Sequence, residues 1–241
     1  MYKFGLVGKN ISYSFSKAYF TEKFEKLGLA DYRYDNFDID SISEFPTVLT
    51  TELKGLNITI PYKEKILRFL DEIDTDAGQI NAVNTIKITK RKLKGYNTDV
   101  YGFEESLKPL LKKHHTKALV FGTGGASKAV LFVLKKLQID ALSVSRNPVK
   151  DQIAYQDVTK ELLKKYAVLI NTTPLGTFPE VANSIEIPYH HLSEKNLLYD
   201  LIYNPAMTKF LSEGAKRGAA ISNGLKMLTL QAEKSWEIWN R

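Results

Sequence analysis

The chain has 241 residues, 44% of them hydrophobic, enough for one large domain or two small ones, and no apolar run nears the roughly 18 residues of a membrane span. It contains no cysteine, which excludes disulfides and thiolate metal sites, and its first residues lack the apolar core of a signal peptide, so the cytoplasm is the expected compartment. The net charge is +7, yet residues 1–100 hold 15 Lys+Arg against 14 Asp+Glu; the excess beyond them suits a polyanionic small ligand, while scattered lysines without a basic arm argue against nucleic acid.

Residues 2–8 predict a strand ending at Gly8. A loop carrying Ser14 and Ser16 leads into a helix over 17–27, with Ala18, Phe20, Phe24 and Leu27 at helical spacing and Gly28 as its stop. Ser16 reads either as the cap of that helix or, with Ser14, as one of two hydroxyls converging on a carboxylate or hydroxyl-bearing ligand. Residues 32–37 predict a second strand, and 41–50 an irregular helical stretch broken at Pro46. From Leu56 to Lys63 the pattern is a strand turning into a helix, with Pro61 preset for the first turn and Lys63 inside it. A lysine there opposes the helix dipole; it is either a solvated charge or a sign of function.

Residues 76–98 are polar and rich in asparagine, and 82–88 with 92–96 predict a hairpin around Thr89-Lys90-Arg91. Asn84, Asn97, Thr98 and Asp99 cluster at its open end, where Asp99 reads as the cap of a helix over 100–111. The stretch from Lys117 to Ser127 organises the second half of the chain: an apolar strand over 118–121, the turn Gly122-Thr-Gly124-Gly125, and a helix over 126–137. Strand, glycine turn and helix are the context that a dinucleotide pyrophosphate site requires, although Ser127 stands where the third glycine of G-x-G-x-x-G would be. The next strand, over 141–145, is followed at once by Arg146, with Lys150 close behind. An arginine there accommodates a 2′-phosphate, which points to NADP over NAD.

A helix over 159–165, a strand over 167–171, a tight loop from Thr172, a strand over 196–202 and a turn at Tyr203-Asn204-Pro205 come next. A helix over 208–217 stops at Gly218, and a short strand over 219–222 precedes a helix over 225–239 with Leu225, Leu228, Ala232, Trp236 and Trp239 on one face. The histidine pairs His114-His115 and His190-His191 read as solvated loop residues, since sequence neighbours point different ways, and no metal is expected. Both halves read as α/β with largely parallel sheets, joined through a helix over 100–113.

Ser14-x-Ser16, Asn57-x-Thr59-x-Pro61-x-Lys63, Ala82-Val83-Asn84-Thr85, Asn97-Thr98-Asp99 and Gly122-x-Gly124-Gly125-Ala126 occur in that order. Residues 170–176, 200–205 and 223–228, with Gln231-Ala232, complete the series. Through these motifs the chain resembles the shikimate dehydrogenase family nearly end to end. The resemblance implies two domains: an N-terminal α/β substrate domain, 1–100, completed by 221–241, and a Rossmann-like NADP-binding domain, 101–220. It implies NADPH-dependent, reversible reduction of 3-dehydroshikimate to shikimate in aromatic amino-acid biosynthesis. A quinate/shikimate dehydrogenase, or a relative using NAD or another hydroxylated ring acid, is the alternative.

Carried over by position, Lys63 and Asp99 would be the catalytic pair. Ser14 and Ser16 would hold the substrate carboxylate, Thr59, Asn84, Asp99 and Gln231 its ring hydroxyls, and Tyr203 would line the cleft. Gly122, Gly124, Gly125, Ala126, Ser145, Arg146, Lys150, Thr172 and Gly224 would hold the cofactor. The expected partners are that small substrate and NADP, with no nucleic acid or membrane, in a monomer or homodimer. The chain departs from the family's usual G-x-P-I-x-H-S-x-S-P at Asn10, Tyr13 and Lys17, and has Ser145-Arg146-Asn147 where Asn-Arg-Thr is common.

Overall fold

A computed structural model describes residues 1–12 and 14–241, which form two compact units. One comprises Met1–Thr98 with Ala232–Arg241, the other Asp99–Gln231.

The first unit contains β1 (Tyr2–Gly8), α1 (Phe15–Lys26), β2 (Tyr32–Asp38), α2 (Phe45–Val48), β3 (Leu53–Ile58), β4 (Glu72–Ile73), α3 (Thr75–Ile80), β5 (Thr85–Thr89) and β6 (Lys92–Tyr96). Its sheet has the order β2-β1-β3-β5-β6-β4. The sheet is mixed rather than largely parallel: β1 pairs β2 and β3 in parallel, whereas β5 runs antiparallel to β3 and β6. The two-residue turn at Lys90 and Arg91, both at positive φ, reverses the chain directly from β5 into β6.

Alternation along β1 serves two cores. Val7 joins a cluster with Leu56, Ile58, Tyr62 and Ile86, while Phe4 and Leu6 join Phe20, Phe24, Tyr34 and Trp239 on the other face. The second cluster is dense in aromatic rings: Phe20 stacks on Tyr34 at 4.7 Å between centroids, and Phe4 lies 4.8 Å from Trp239. Trp239 also donates its indole N–H to Ile86 O at 3.0 Å, and a Cβ on Gly55 would fall 2.2 Å from that nitrogen. Removing a buried ring of this size typically costs about 3–5 kcal/mol.

The second unit contains α4 (Thr98–Leu107), β7 (Lys117–Phe121), α5 (Gly125–Lys136), β8 (Asp140–Ser145), β9 (Gln152–Ala154), α6 (Lys160–Lys165), β10 (Val168–Asn171), β11 (Leu197–Asp200), α7 (Lys209–Ala215), β12 (Ala220–Ser222) and the first turns of α8 (Leu225–Asn240). All pairings in its sheet, β12-β11-β10-β7-β8-β9, are parallel. β10 and β11 are buried along their whole length, as strands covered on both faces must be. Strand order reverses between β7 and β10, and the crevice outside the carboxyl ends of such a pair is the usual ligand position in open α/β sheets.

Several expectations need correction. The chain passes between units at Thr98/Asp99, ahead of nearly all of α4, and again at Gln231/Ala232 inside α8, not at 220. The first turns of α8 stay with the second unit because Gly102 of α4 lets them approach: a Cβ there would lie 2.5 Å from Met227 O. The buried stripe of α8 is Met227, Gln231, Ala232, Ser235, Ile238 and Trp239, whereas Leu225 is exposed. Lys63 and Pro61 lie in an irregular turn before a short 3-10 segment, Lys65–Phe69, so Lys63 opposes no helix dipole. Helix α3 and edge strand β9 lie outside the expected elements; α3 is set by Asp74 as cap and by Asn81 in the left-handed region.

Candidate active site

In the first unit the expected substrate residues collect at one edge of the sheet. β1 and β3 run parallel and end there, at Gly8 and Ile58. Because β5 is antiparallel to β3, its first residue lies beside the last residues of β3, which brings Asn84 to the same edge as Thr59. The strand-end backbone is tied accordingly: Thr59 N–H donates to Val7 O at 2.9 Å, and Ile58 N–H to Asn84 O at 2.9 Å. Val83 N–H donates to Lys63 O at 2.8 Å, which pins the lysine's backbone next to Asn84. The Lys63 side chain is half-buried.

Ser14, not Ser16, caps α1: its hydroxyl accepts the Ser16 N–H at 3.1 Å. Ser16 is buried in the first turn instead. Tyr13, the departure at the family's histidine position, lies outside the described residues.

Beneath this edge runs a buried polar network that the sequence did not announce. Tyr34 donates its phenol to Asn57 Oδ1 at 2.8 Å, and Asn57 Nδ2 reaches Thr85 Oγ1 at 3.1 Å and Ser235 Oγ of α8 at 3.0 Å. Ser235 also lies 2.8 Å from Thr85 Oγ1 and 3.2 Å from Thr98 Oγ1. Thr98 N–H then donates to Asn84 Oδ1 at 2.7 Å. Burial drives the Tyr34 phenol well above its ordinary range, and a hydrogen-bonding contribution from Ser16 opposes that rise. The one available signal was Asn57 itself, a polar residue between Leu56 and Ile58, since a buried carboxamide must find partners.

In the second unit, Gly122 has φ +104, and a Cβ there would lie 2.7 Å from Thr172 Oγ1, so the turn requires glycine. Gly124 caps α5 without a side chain, and a Cβ on Gly124 or Gly125 would meet open space. Ser127 at the third motif position is turned inward, its hydroxyl donating to Gly124 O at 2.6 Å, and so leaves that space clear. The first turn of α5 has no acidic residue. An open glycine surface at the start of a 12-residue helix fits a dinucleotide pyrophosphate.

Ala126 follows in the first turn of α5 and is half-buried. Arg146 and Lys150 are exposed after β8, with Ser145 half-buried at its end. Burial pushes the Tyr155 phenol up, and the Arg146 charge opposes that rise. Thr172 donates its hydroxyl to Phe121 O at 2.7 Å, joining the ends of β7 and β10. Gly224 is accounted for by packing: a Cβ there would lie 2.0 Å from Leu201 O.

Asp99, expected as a cap, is instead inside the first turn of α4 and is buried. Gln231 is buried and donates to Leu228 O at 3.0 Å. Tyr203 is exposed in the loop after β11. That loop is held by Asp200, whose carboxylate is fully buried and accepts from Asn171 Nδ2 at 3.0 Å, Ile202 N–H at 3.0 Å and Thr208 Oγ1 at 2.6 Å. Asn171 in turn accepts from Thr173 N–H at 2.8 Å, so one carboxylate ties together the loops after β10 and β11.

The histidines are not all solvated. His115 is buried; its Nδ1 accepts the Lys112 N–H at 3.0 Å, its Nε2 lies 3.2 Å from Lys195 O, and burial lowers its pKa. It is a structural pin. Among the described residues no group of three or more His, Cys, Asp or Glu could hold a metal ion.

The family model described as shikimate dehydrogenase substrate binding domain matches residues 6–86. A shikimate dehydrogenase (NADP(+)) of Clostridium botulinum strain Hall is 37% identical over 250 residues, covering 99% of this chain and 96% of the relative. Shikimate 5-dehydrogenase of Thermus thermophilus, solved in complex with NADP(H) and shikimate, superposes with a TM-score of 0.87 at 31% identity, covering 99% of this chain and 93% of that one. The Listeria monocytogenes enzyme, solved with shikimate and NAD, gives 0.88 at 25% identity, covering 100% and 92%. Likeness of this extent, running through the serine loop, the glycine turn and the C-terminal helix alike, means that the chain belongs to the shikimate dehydrogenase family.

Proposed function

We propose that this protein catalyses the NADPH-dependent, reversible reduction of 3-dehydroshikimate to shikimate, a step of aromatic amino-acid biosynthesis. The observation that carries the reading is the end-to-end likeness to shikimate dehydrogenases. Residues 1–98 with 232–241 are the substrate-binding unit, and 99–231 the NADP-binding unit.

Ser14 and Ser16 hold the substrate carboxylate; Thr59, Asn84, Asp99 and Gln231 bond ring hydroxyls, and Tyr203 is a further substrate residue. Asn84 is preset for this. An N–H needs an oxygen acceptor, so Thr98 fixes which end of the carboxamide is Oδ1 and leaves Nδ2 as the donor. NADPH, when bound, supplies the hydride. Lys63 gives a proton to, or holds with its charge, the oxygen that the reduction leaves negative, and Asp99 orients the ammonium. Gly122, Gly124, Gly125 and Ala126 receive the pyrophosphate; Ser145, Arg146 and Lys150 receive the 2′-phosphate; Thr172 and Gly224 shape the strand ends beside them.

The proposed compartment is the cytoplasm and the proposed state a monomer or homodimer. Among the described residues no helix is long and apolar enough to cross a membrane. The test is NADP reduction by the purified protein with shikimate or quinate, and with NADP or NAD. Shikimate with NADP should give the highest kcat/KM; a preference for quinate, or no turnover of shikimate, would overturn the assignment.

A further inference from the structure

Side chains alternate along a strand, so Tyr34, Asn36 and Asp38 share one face of β2, the edge strand beside β1. Asp38 and Asn36 engage the segment between β1 and α1. Asp38 accepts the Asn10 N–H on Oδ1 at 2.9 Å and the Ile11 N–H on Oδ2 at 3.2 Å. Asn36 Nδ2 donates to Ile11 O at 3.0 Å. Tyr34, buried deeper on the same face, is anchored by Asn57.

The arrangement explains a departure of this chain from the family pattern. Asn10 stands where proline is usual and has φ +57, a left-handed conformation that a proline ring cannot adopt. The N–H that proline lacks is the one Asp38 binds. A bidentate carboxylate on two successive amides thus holds the loop that a ring would otherwise stiffen.

We propose that Asn36 and Asp38, with Tyr34 below them, are positioning residues that fix the loop carrying Ser14 and Ser16 and thereby set the preference for a ring substrate bearing a free carboxylate. The inference rests on the role given above to the two serines. None of the three touches the reacting atoms. Their effect is to keep two hydroxyls converged on one anion, and it is strongest for a ligand that has that anion.

The readout is the ratio of kcat/KM for shikimate to that for shikimate methyl ester, with NADP, in the whole protein. Asp38→Ala and Asn36→Ala should each lower this ratio at least fivefold through KM, with the KM for NADP unchanged. Asp38→Asn, which keeps one acceptor oxygen, should fall between Asp38→Ala and the unaltered protein. Ser16→Ala is the control for the underlying reading. If it collapses the ratio while Asp38→Ala and Asn36→Ala leave it intact, or lower acid and ester equally, the positioning role is wrong and the serine assignment stands. If Ser16→Ala also leaves the ratio intact, the carboxylate binds elsewhere and both ideas fall.

Discussion

The backbone N–H of Thr98 donates to Asn84 Oδ1 at 2.7 Å, and the Thr98 and Thr85 hydroxyls lie 3.2 and 3.1 Å from the same oxygen. Three donors on one carboxamide oxygen fix its orientation, so Asn84 can offer a ligand only N–H groups. Asn84→Asp keeps the bond to Thr98 but replaces the Nδ2 donor with an oxygen. The expected result is a KM for shikimate raised more than tenfold, about 1.5–3 kcal/mol for a lost bond and an unmatched charge, with the KM for NADP unchanged. Equal loss of both substrates would show instead that Asn84 serves folding alone.

Lys63 sits in a turn whose backbone is anchored by Val83, and its side chain is half-buried, so truncation leaves the turn in place. Lys63→Ala should lower kcat by about 10²–10⁴-fold, the range of a lost general acid–base group. NADPH affinity, measured by fluorescence titration, should be unaffected. Near-normal turnover in the folded variant would remove Lys63 from the chemistry.

How much of this is legible in the sequence depends on the range of the interactions. The glycine turn and its flanking strand and helix are set by residues adjacent in sequence, and they appear within a residue or so of expectation, β7 at Lys117–Phe121 and α5 at Gly125–Lys136. The cap of α1 is Ser14 rather than Ser16 because either hydroxyl suits the role and the spacing does not choose. Pro61 favours a first helical turn and so suggests a helix around Lys63, yet proline serves an irregular turn equally well. The Tyr34–Asn57–Ser235 network joins strands to α8 across 178 residues between Asn57 and Ser235, and no local pattern encodes that. β9 and β4 are short edge strands, with too few residues for a period to show.

Arg146 is exposed immediately after β8. Arg146→Ala should raise the KM for NADPH by an amount worth about 1.5–3 kcal/mol, that of one charge-assisted hydrogen bond, and leave the KM for NADH nearly as it was. Initial rates with each cofactor at saturating 3-dehydroshikimate measure both. Equal weakening of NADPH and NADH would mean that Arg146 contacts the part common to the two, and not the 2′-phosphate.

Asp200 gives the chain a pH signature. Burial raises its pKa from 3.8 to about 6, against the lowering effect of bonds from Thr208, Ile202 N–H and Asn171. A carboxyl whose folded pKa exceeds its unfolded one binds more protons in the folded state between those values, so its contribution to stability falls as pH rises through the window. A shift of this size corresponds to about 3 kcal/mol between roughly pH 4 and pH 7. Glu104, Glu161, Glu213, Glu233 and Glu237 are shifted downward and act in the opposite sense, so the total stability curve does not isolate Asp200. Asp200→Asn removes the titration and leaves those five in place. Urea unfolding of both proteins at roughly pH 4 and pH 7 should therefore show the stability of the unaltered protein, relative to Asp200→Asn, declining by about 3 kcal/mol on going to the higher pH. A difference that is constant with pH, or that grows, would mean that the three hydrogen bonds outweigh burial and that the carboxylate is charged in the folded protein throughout.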